Sequence, residues 1–236
     1  MLDCIICIQY LNLKHITLRL ALLQPQFAPN FYDLAAMLKA DLVIWDDMAR
    51  WSRKGRTHRA QIRGEQGLQW VNLPILTEDR KKPIKEVRVD HSIDWLEPLW
   101  NAIHHNYQNA TYFDLYVDEL LNDFKNASNY KYLIDLNAFL FERMTIYLEI
   151  NPKYKLASTF KEYDIIPDVF ADNLGAETIF QEYDSKHYQR PSQKAVEVMA
   201  EYPVYSQAYQ GFLPGASSID LLLNCGKESF KVLDQI

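Results

Sequence analysis

Residues 16–23, ITLRLALL, are β-branched and leucine-rich with partial alternation, and the run stops at Gln24-Pro25, where proline cannot donate to a sheet ladder. This pattern predicts a first strand. After the loop QPQFAPN, the segment FYDLAAMLK sets Phe31, Leu34, Ala35 and Leu38 at helical spacing. The apolar run Leu42 to Trp45 then ends on Asp46 and Asp47, as a short strand buried on both faces does. Strand, helix and strand with a crossover of this length predict a parallel pair.

Further along, LQWVNLPI (68–75) and IKEVRVDH (84–91) read as strands separated by the charged turn TEDRKKP. Helices are predicted over about 95–107, 112–125 and 130–150, the last with Leu133, Leu136, Leu140, Met144 and Leu148 at helical intervals. The remainder reads as shorter elements: LASTF, a helix at 167–174, strands at AETIF and near PVYSQ, and a closing helix from Ser217 to Asn224 stopped by Gly226. The expected fold class is α/β: a parallel, Rossmann-like sheet core with a helical insertion in the middle of the chain. No repeat or linker divides it, so the expectation is one unit over 1–236 with a mainly helical part at about 95–150.

In open parallel sheets, ligands bind outside the carboxyl ends of the strands. The loop 24–30, the acids Asp46 and Asp47, and the run RWSRKGRTHRAQIR (50–63) all leave from those ends. That run holds Arg50, Arg53, Lys54, Arg56, Arg59 and Arg63 with no acid among them, in a chain whose net charge is −6. Exposed ion pairs contribute only about 0–1 kcal/mol each, so stability is a weak reason to gather six cations in one stretch. Guanidinium forks match the oxygens of phosphate or carboxylate, which points to a small anionic substrate. The acidic balance of the whole argues against coating nucleic acid.

Asp46 stands where it could hold magnesium, take a proton or bond the arginines beside it. His58 is the histidine inside the rim and could move a proton near neutral pH. No glycine-rich phosphate loop, GxSxG elbow or HExxH spacing is present. Cys4 and Cys7 have metal-like spacing but no second pair to complete a tetrahedral site, so no metal site is expected. Three cysteines suggest a reducing compartment. The opening MLDCIICIQYLNLKH is too short to span a bilayer, and the expectation is a cytoplasmic protein without membrane insertion.

Several stretches, taken in order, carry a resemblance. They are LLQPQFAPNFYDL, ADLVIWDD, RKGRTHRAQIRGEQGLQWVNLPI, KKPIKEVRVDHSIDWLEPLWNAIHHNYQNATYFDLY and YSQAYQGFLPGASSIDLLLNCG. Together they resemble the WbqC-like family of bacterial proteins. The resemblance implies a link to surface-polysaccharide (O-antigen) biosynthesis, with glycine transfer proposed for some members. By position it carries over Gln24, Asp46, Arg59, Ser158, Tyr205, Gln207, Ser217, Asp220 and Asn224 as shared polar residues, and the last six are expected, with the basic run, among the groups that bind the substrate. His58 stands where the family usually has asparagine, Asn30 where many members have tryptophan, and Gly215-Ala216 where Asn-Leu is usual.

The start of the chain is also analogous to HUP-type nucleotide-binding folds, although their histidine motif is absent. The expectation is an aminoacyl or acyl transferase, or an ATP-dependent amide ligase, acting on a nucleotide-linked sugar or small amine. Arg53, Lys54, Arg56 and Arg59 would bind the anion, Gln24 and Asp46 would orient the reacting group, and His58 or Asp46 would move the proton. The cofactor stays open, with ATP and magnesium as one option. The rival reading is a non-catalytic binding protein of a biosynthetic complex.

Overall fold

The computed structural model describes residues 17–235. The predicted features at Cys4, Cys7 and His15 lie outside those residues. Strand β1 (Leu18–Leu23) leads through helix α1 (Phe31–Lys39) to β2 (Leu42–Trp45), and the two strands pair in parallel, Leu20 opposite Leu42 and Leu23 opposite Trp45. Asn30 starts α1 by accepting the Asp33 N–H at 3.0 Å, the capping role its short amide suits.

Next comes an antiparallel hairpin of β3 (Arg59–Gly64) and β4 (Gly67–Asn72). Helices α2 (Leu96–Tyr107), α3 (Phe113–Ala127) and α4 (Leu133–Tyr147) follow one another. The chain then returns to the sheet with β5 (Tyr154–Leu156), α5 (Pro167–Leu174) and β6 (Ala176–Phe180), and ends with α6 (Ser218–Cys225) and α7 (Ser229–Leu233).

The main sheet has the order β5-β2-β1-β6, every pair parallel. Alternation along its strands divides two cores. Leu20, Leu22, Ile44 and Ile179 face Phe170 and Ala171 of α5. Ala21, Leu23, Val43, Trp45 and Phe180 face the larger cluster that takes in α1 and the three middle helices. Both faces are covered, which is why β1 and β2 carry nearly continuous apolar runs. Trp45 anchors the helices: its ring stacks on Tyr154 at 3.8 Å and meets Phe141 of α4 edge-on at 5.1 Å. Among the described residues no helix is long and apolar enough to cross a membrane.

Within the basic run Arg59–Gly64 forms β3, and two expected strands need correction. Residues 84–91 are not a strand. They form a turn of 3₁₀ helix at Ile84–Glu86 and then isolated bridges from Arg88 to Tyr132 and from Val89 to Ile75. The alternation there is real, since Val87 and Val89 are buried, but the Arg88 N–H donates to Asp79 Oδ2 rather than to a ladder. No strand forms at 203–207, where side chains rather than the backbone make the long-range bonds. Gly226 ends α6 as expected, with φ +53° and pressed against the Tyr112 ring, and the short α7 follows it.

Candidate functional site

The carboxyl ends of β1, β2 and β6 meet at one rim, and a buried polar network ties their loops together. Past β1, the Gln24 N–H donates to Glu182 Oε1 at 2.6 Å, and Glu182 follows β6. Arg56, from the basic run, sets one guanidinium nitrogen 2.6 Å from Asp33 Oδ2 and 3.5 Å from Glu182 Oε2. The Tyr188 hydroxyl donates to Glu182 Oε2 at 2.7 Å, and the Tyr183 N–H donates to Asp33 Oδ1 at 3.1 Å. Burial pushes both carboxyls above the usual range while Arg56 pulls them back. Helix α4 adds a clasp, since Asn137 Nδ2 donates to the carbonyls of Pro25 (3.0 Å) and Thr57 (2.8 Å). The first loop and the basic run are therefore fixed to each other through Arg56, Asp33, Glu182 and Asn137, all buried.

Two clefts open on this network and share Tyr188. The first, about 280 Å³, is lined by Gln24, Asp46, Arg50, Tyr188, Gln189 and Arg190. It lies at the carboxyl ends of β1 and β2 and is close to the lower size of small-molecule sites, roughly 300 Å³. Asp46 receives hydrogen bonds on Oδ1 from the Ala49 N–H (3.0 Å) and the Tyr163 hydroxyl (3.1 Å). Burial nevertheless raises its pKa to about 6, and the neighbouring Asp47 adds to the rise. Such a carboxyl exchanges protons near neutral pH. Asp47, in the turn that follows β2, accepts the Ser158 N–H at 2.8 Å.

The second cleft, about 360 Å³, is lined by Lys54, Arg56, Arg59, Trp70, His187 and Tyr188 among others. Arg59 is held by the carbonyls of Gly55 (3.0 Å) and Lys54 (2.6 Å), and its guanidinium lies 3.9 Å over the Trp70 ring. Desolvation and the nearby Arg53 and Arg56 lower its pKa, although the Tyr188 phenol acts in the opposite sense. Among the described residues, Arg50, Arg53, Lys54, Arg59 and Arg190 make no salt bridge with a carboxylate. Asp184 also lines the second cleft but pairs with Lys186 at 3.5 Å, so Lys54 and Arg59 keep unpaired positive charge there, which attracts anions.

The predicted residues thus fall into several places. Gln24 and Asp46 line the first cleft, and Lys54, Arg56 and Arg59 the second, with Arg56 already engaged by Asp33 and Glu182. Arg53 lies close enough to repel Arg59 but lines neither cleft. His58 is buried with its ring 4.8 Å from that of Trp51; desolvation, with Arg59 close by, lowers its pKa to about 4, and it lines neither cleft. Ser158 is exposed beyond β5.

Tyr205, Gln207 and Asn224 gather around Asp220. Its Oδ2 accepts from Tyr205 (2.6 Å) and Gln207 (2.9 Å), and its Oδ1 from Asn224 (3.2 Å) and Tyr107 (2.8 Å). Ser217, at the start of α6, is buried and donates its N–H to the Gln61 carbonyl at 2.8 Å. Sequence reasoning missed Asp33, Glu182, Tyr188, Arg190 and Asn137. The available signal for Glu182, Tyr188 and Arg190 was that AETIF is a third parallel strand, whose carboxyl end also feeds the rim.

Among the described residues no three His, Cys, Asp or Glu side chains converge as a metal site. No solved structure matches the chain. A protein of Mycobacterium tuberculosis (strain ATCC 25618 / H37Rv), described as Uncharacterized protein Rv1507c, is 26% identical over 225 residues, covering 89% of this chain and 95% of that protein. The sequence model of the WbqC-like protein family matches residues 24–232, from the first rim loop to the last helix, and the chain belongs to that family.

Proposed function

We propose that this chain forms an amide or related acyl bond, as an aminoacyl or acyl transferase or an ATP-dependent amide ligase. Its acceptor would be a nucleotide-linked sugar or small amine of surface-polysaccharide or related biosynthesis. The observation that carries the reading is the pair of clefts meeting at Tyr188, one with a proton-exchanging carboxyl and the other with Lys54 and Arg59 free of acid partners. The four-stranded parallel sheet with its polar groups at the carboxyl rim fits a HUP-like nucleotide binder by analogy alone.

Lys54 and Arg59 would hold the phosphates and neutralise the charge released on the leaving group. Where ATP supplies the activation, Lys54 and Arg59 would be the residues that hold its phosphates. The amine nitrogen attacks the activated carbonyl carbon, the bond to the leaving phosphate breaks, and the amine proton goes to Asp46. With its pKa of about 6, Asp46 is roughly nine-tenths ionised at pH 7 and able to accept. His58, buried away from both clefts, is not needed for this step.

The test is calorimetric titration with pyrophosphate and with a nucleoside diphosphate. Arg59→Ala is expected to weaken both by at least about five-fold. Unchanged affinity removes the phosphate role from this cleft, and a stoichiometric co-purifying partner with no ligand response favours a docking protein instead.

Asp46→Asn gives a second check. The folded pKa of about 6 lies above the ordinary 3.8, so the folded state holds the extra proton between those values and this group's contribution to stability falls as pH rises from about 4 to 6. The asparagine removes that cost. It should raise unfolding free energy at pH 7 by roughly 1–2 kcal/mol, discounted for partial exposure, and lower turnover by about 100-fold. A stability loss at pH 7 would contradict the assigned charge state.

A further inference from the structure

The first cleft contains two arginines that the catalytic reading leaves unused. Arg50 comes from the start of the basic run and Arg190 from the segment after β6, 140 positions apart in the chain, yet both line the same small cleft as Gln24 and Asp46. Neither has a carboxylate within salt-bridge distance among the described residues.

Their backbones are held on both sides. Arg50 bridges to Pro83, while the flanking Trp51 N–H donates to the Lys82 carbonyl (3.0 Å) and the Ala49 carbonyl accepts from the Ile84 N–H (2.9 Å). The Arg190 carbonyl accepts from Gln181 Nε2 at 2.6 Å, and the following Pro191 restricts residue 190 to extended conformations. Next to it, Gln189 is anchored by the Leu22 carbonyl (2.7 Å) and the Glu182 N–H (3.2 Å). Two fixed bases therefore present guanidinium forks with donors to spare.

Gln24, 1% exposed, lines the cleft while its Oε1 is buried beside Gly55 of the basic run. Leu22, Ala49, Ile165 and Pro167 complete the lining, so the two guanidinium groups and Asp46 stand against a largely apolar wall.

Charge narrows the ligand class. The two arginines contribute two positive charges and an ionised Asp46 one negative, so the cleft has a net charge near +1 and neutralises one negative charge. A carboxylate matches that, whereas a phosphate monoester carries about −1.5 to −2 and would crowd Asp46. The volume of about 280 Å³ further limits the occupant to a small molecule.

We infer that Arg50 and Arg190 form a second anion subsite, across Tyr188 from Lys54 and Arg59, that holds the carboxylate of a small monocarboxylic acid. Identifying that acid as the acyl donor rests on the proposed function, and the subsite itself does not. One cleft then takes the carboxylate to be activated and the other the phosphates that activate it, with the Tyr188 ring between them.

Protein-observed NMR titration with acetate and propionate, alongside calorimetry with pyrophosphate, tests the assignment. Arg190→Ala and Arg50→Ala are each expected to weaken acetate by about five-fold or more while leaving pyrophosphate affinity within about two-fold. Arg59→Ala should do the reverse. Both replaced arginines are exposed, so melting temperatures should stay close to that of the parent protein and a binding loss is not unfolding.

Acetate affinity unchanged in both variants overturns the subsite. So does inorganic phosphate binding the cleft more tightly than acetate in an Arg190-dependent way, which would put the wrong anion class there. Acetate binding that depends on Arg190, with pyrophosphate indifferent to Arg59, supports the subsite and overturns the phosphate cleft instead.

Discussion

Arg56→Met is expected to destabilise the protein by about 3–5 kcal/mol, the range for removing one partner of a buried ion pair. The guanidinium lies between Asp33 and Glu182, whose side chains have no solvent exposure. Without it two carboxylates remain buried together, each already raised above its ordinary pKa by burial, and each repelling the other. The sign of the pH dependence follows. Folded pKa values above the unfolded ones mean that the folded variant binds more protons, so its stability should increase as pH falls below 7 and decrease again as pH rises. Urea denaturation at several pH values reads both effects. Adding Asp33→Asn and Glu182→Gln to Arg56→Met should recover at least half of the loss, because neutral amides leave no unpaired charge. A single-variant loss under about 1 kcal/mol, flat with pH, would mean that Arg56 is not the ion holding this rim together.

The parallel core was readable from residues because β1 and β2 are apolar on both faces, and Pro25 and Asn30 mark the ends of the first loop. The helices α2 to α4 were readable because each keeps apolar residues at helical spacing over twelve or more positions. What misled was alternation without a partner. Val87 and Val89 alternate like a strand, but the neighbouring Arg88 N–H goes to Asp79, a side chain nine residues back that local pattern does not reveal. Conversely, RAQIRG contains two arginines and a single glycine and shows no strand signal in the basic run, yet Ala60 and Ile62 point into the core while β4 supplies the ladder.

For the site, topology told more than residue type. The carboxyl-end rule brought Gln24, Asp46 and the basic run to one rim, where the two clefts open. It could not say which cation is spent internally. Arg56 and Arg59 look alike in the run, but one is paired with two buried acids from α1 and the segment after β6, and the other rests on Trp70 with donors left over. That difference depends on contacts 23 and 126 residues away in sequence. His58 was the attractive proton carrier for the same reason of position, and its burial against Trp51 depends on a fold that the run alone does not encode.

Asp220→Ala is expected to cost about 3–5 kcal/mol, because one carboxylate satisfies four side chains at once. Tyr107, Tyr205, Gln207 and Asn224 all donate to it, and both tyrosine hydroxyls reach it from buried positions. The Tyr107 oxygen also accepts the Arg63 N–H at 2.8 Å, so β3 and α2 are joined to α6 through the same node. Gln207 brackets the chain turn ahead of α6, its amide bonding both the carbonyl and the N–H of Leu213. Loss of Asp220 should therefore release the segment 204–212 as well as weaken the core, seen as faster limited proteolysis there together with a lower urea midpoint. Tyr205→Phe alone should cost about 1 kcal/mol, and nearly nothing more once Asp220 is alanine, since the two changes remove the same bond. Fully additive losses would contradict a shared acceptor. A Tyr205→Phe protein of unchanged stability that no longer binds acetate or pyrophosphate would instead assign Tyr205 to ligand recognition, the role that the family resemblance implies for it.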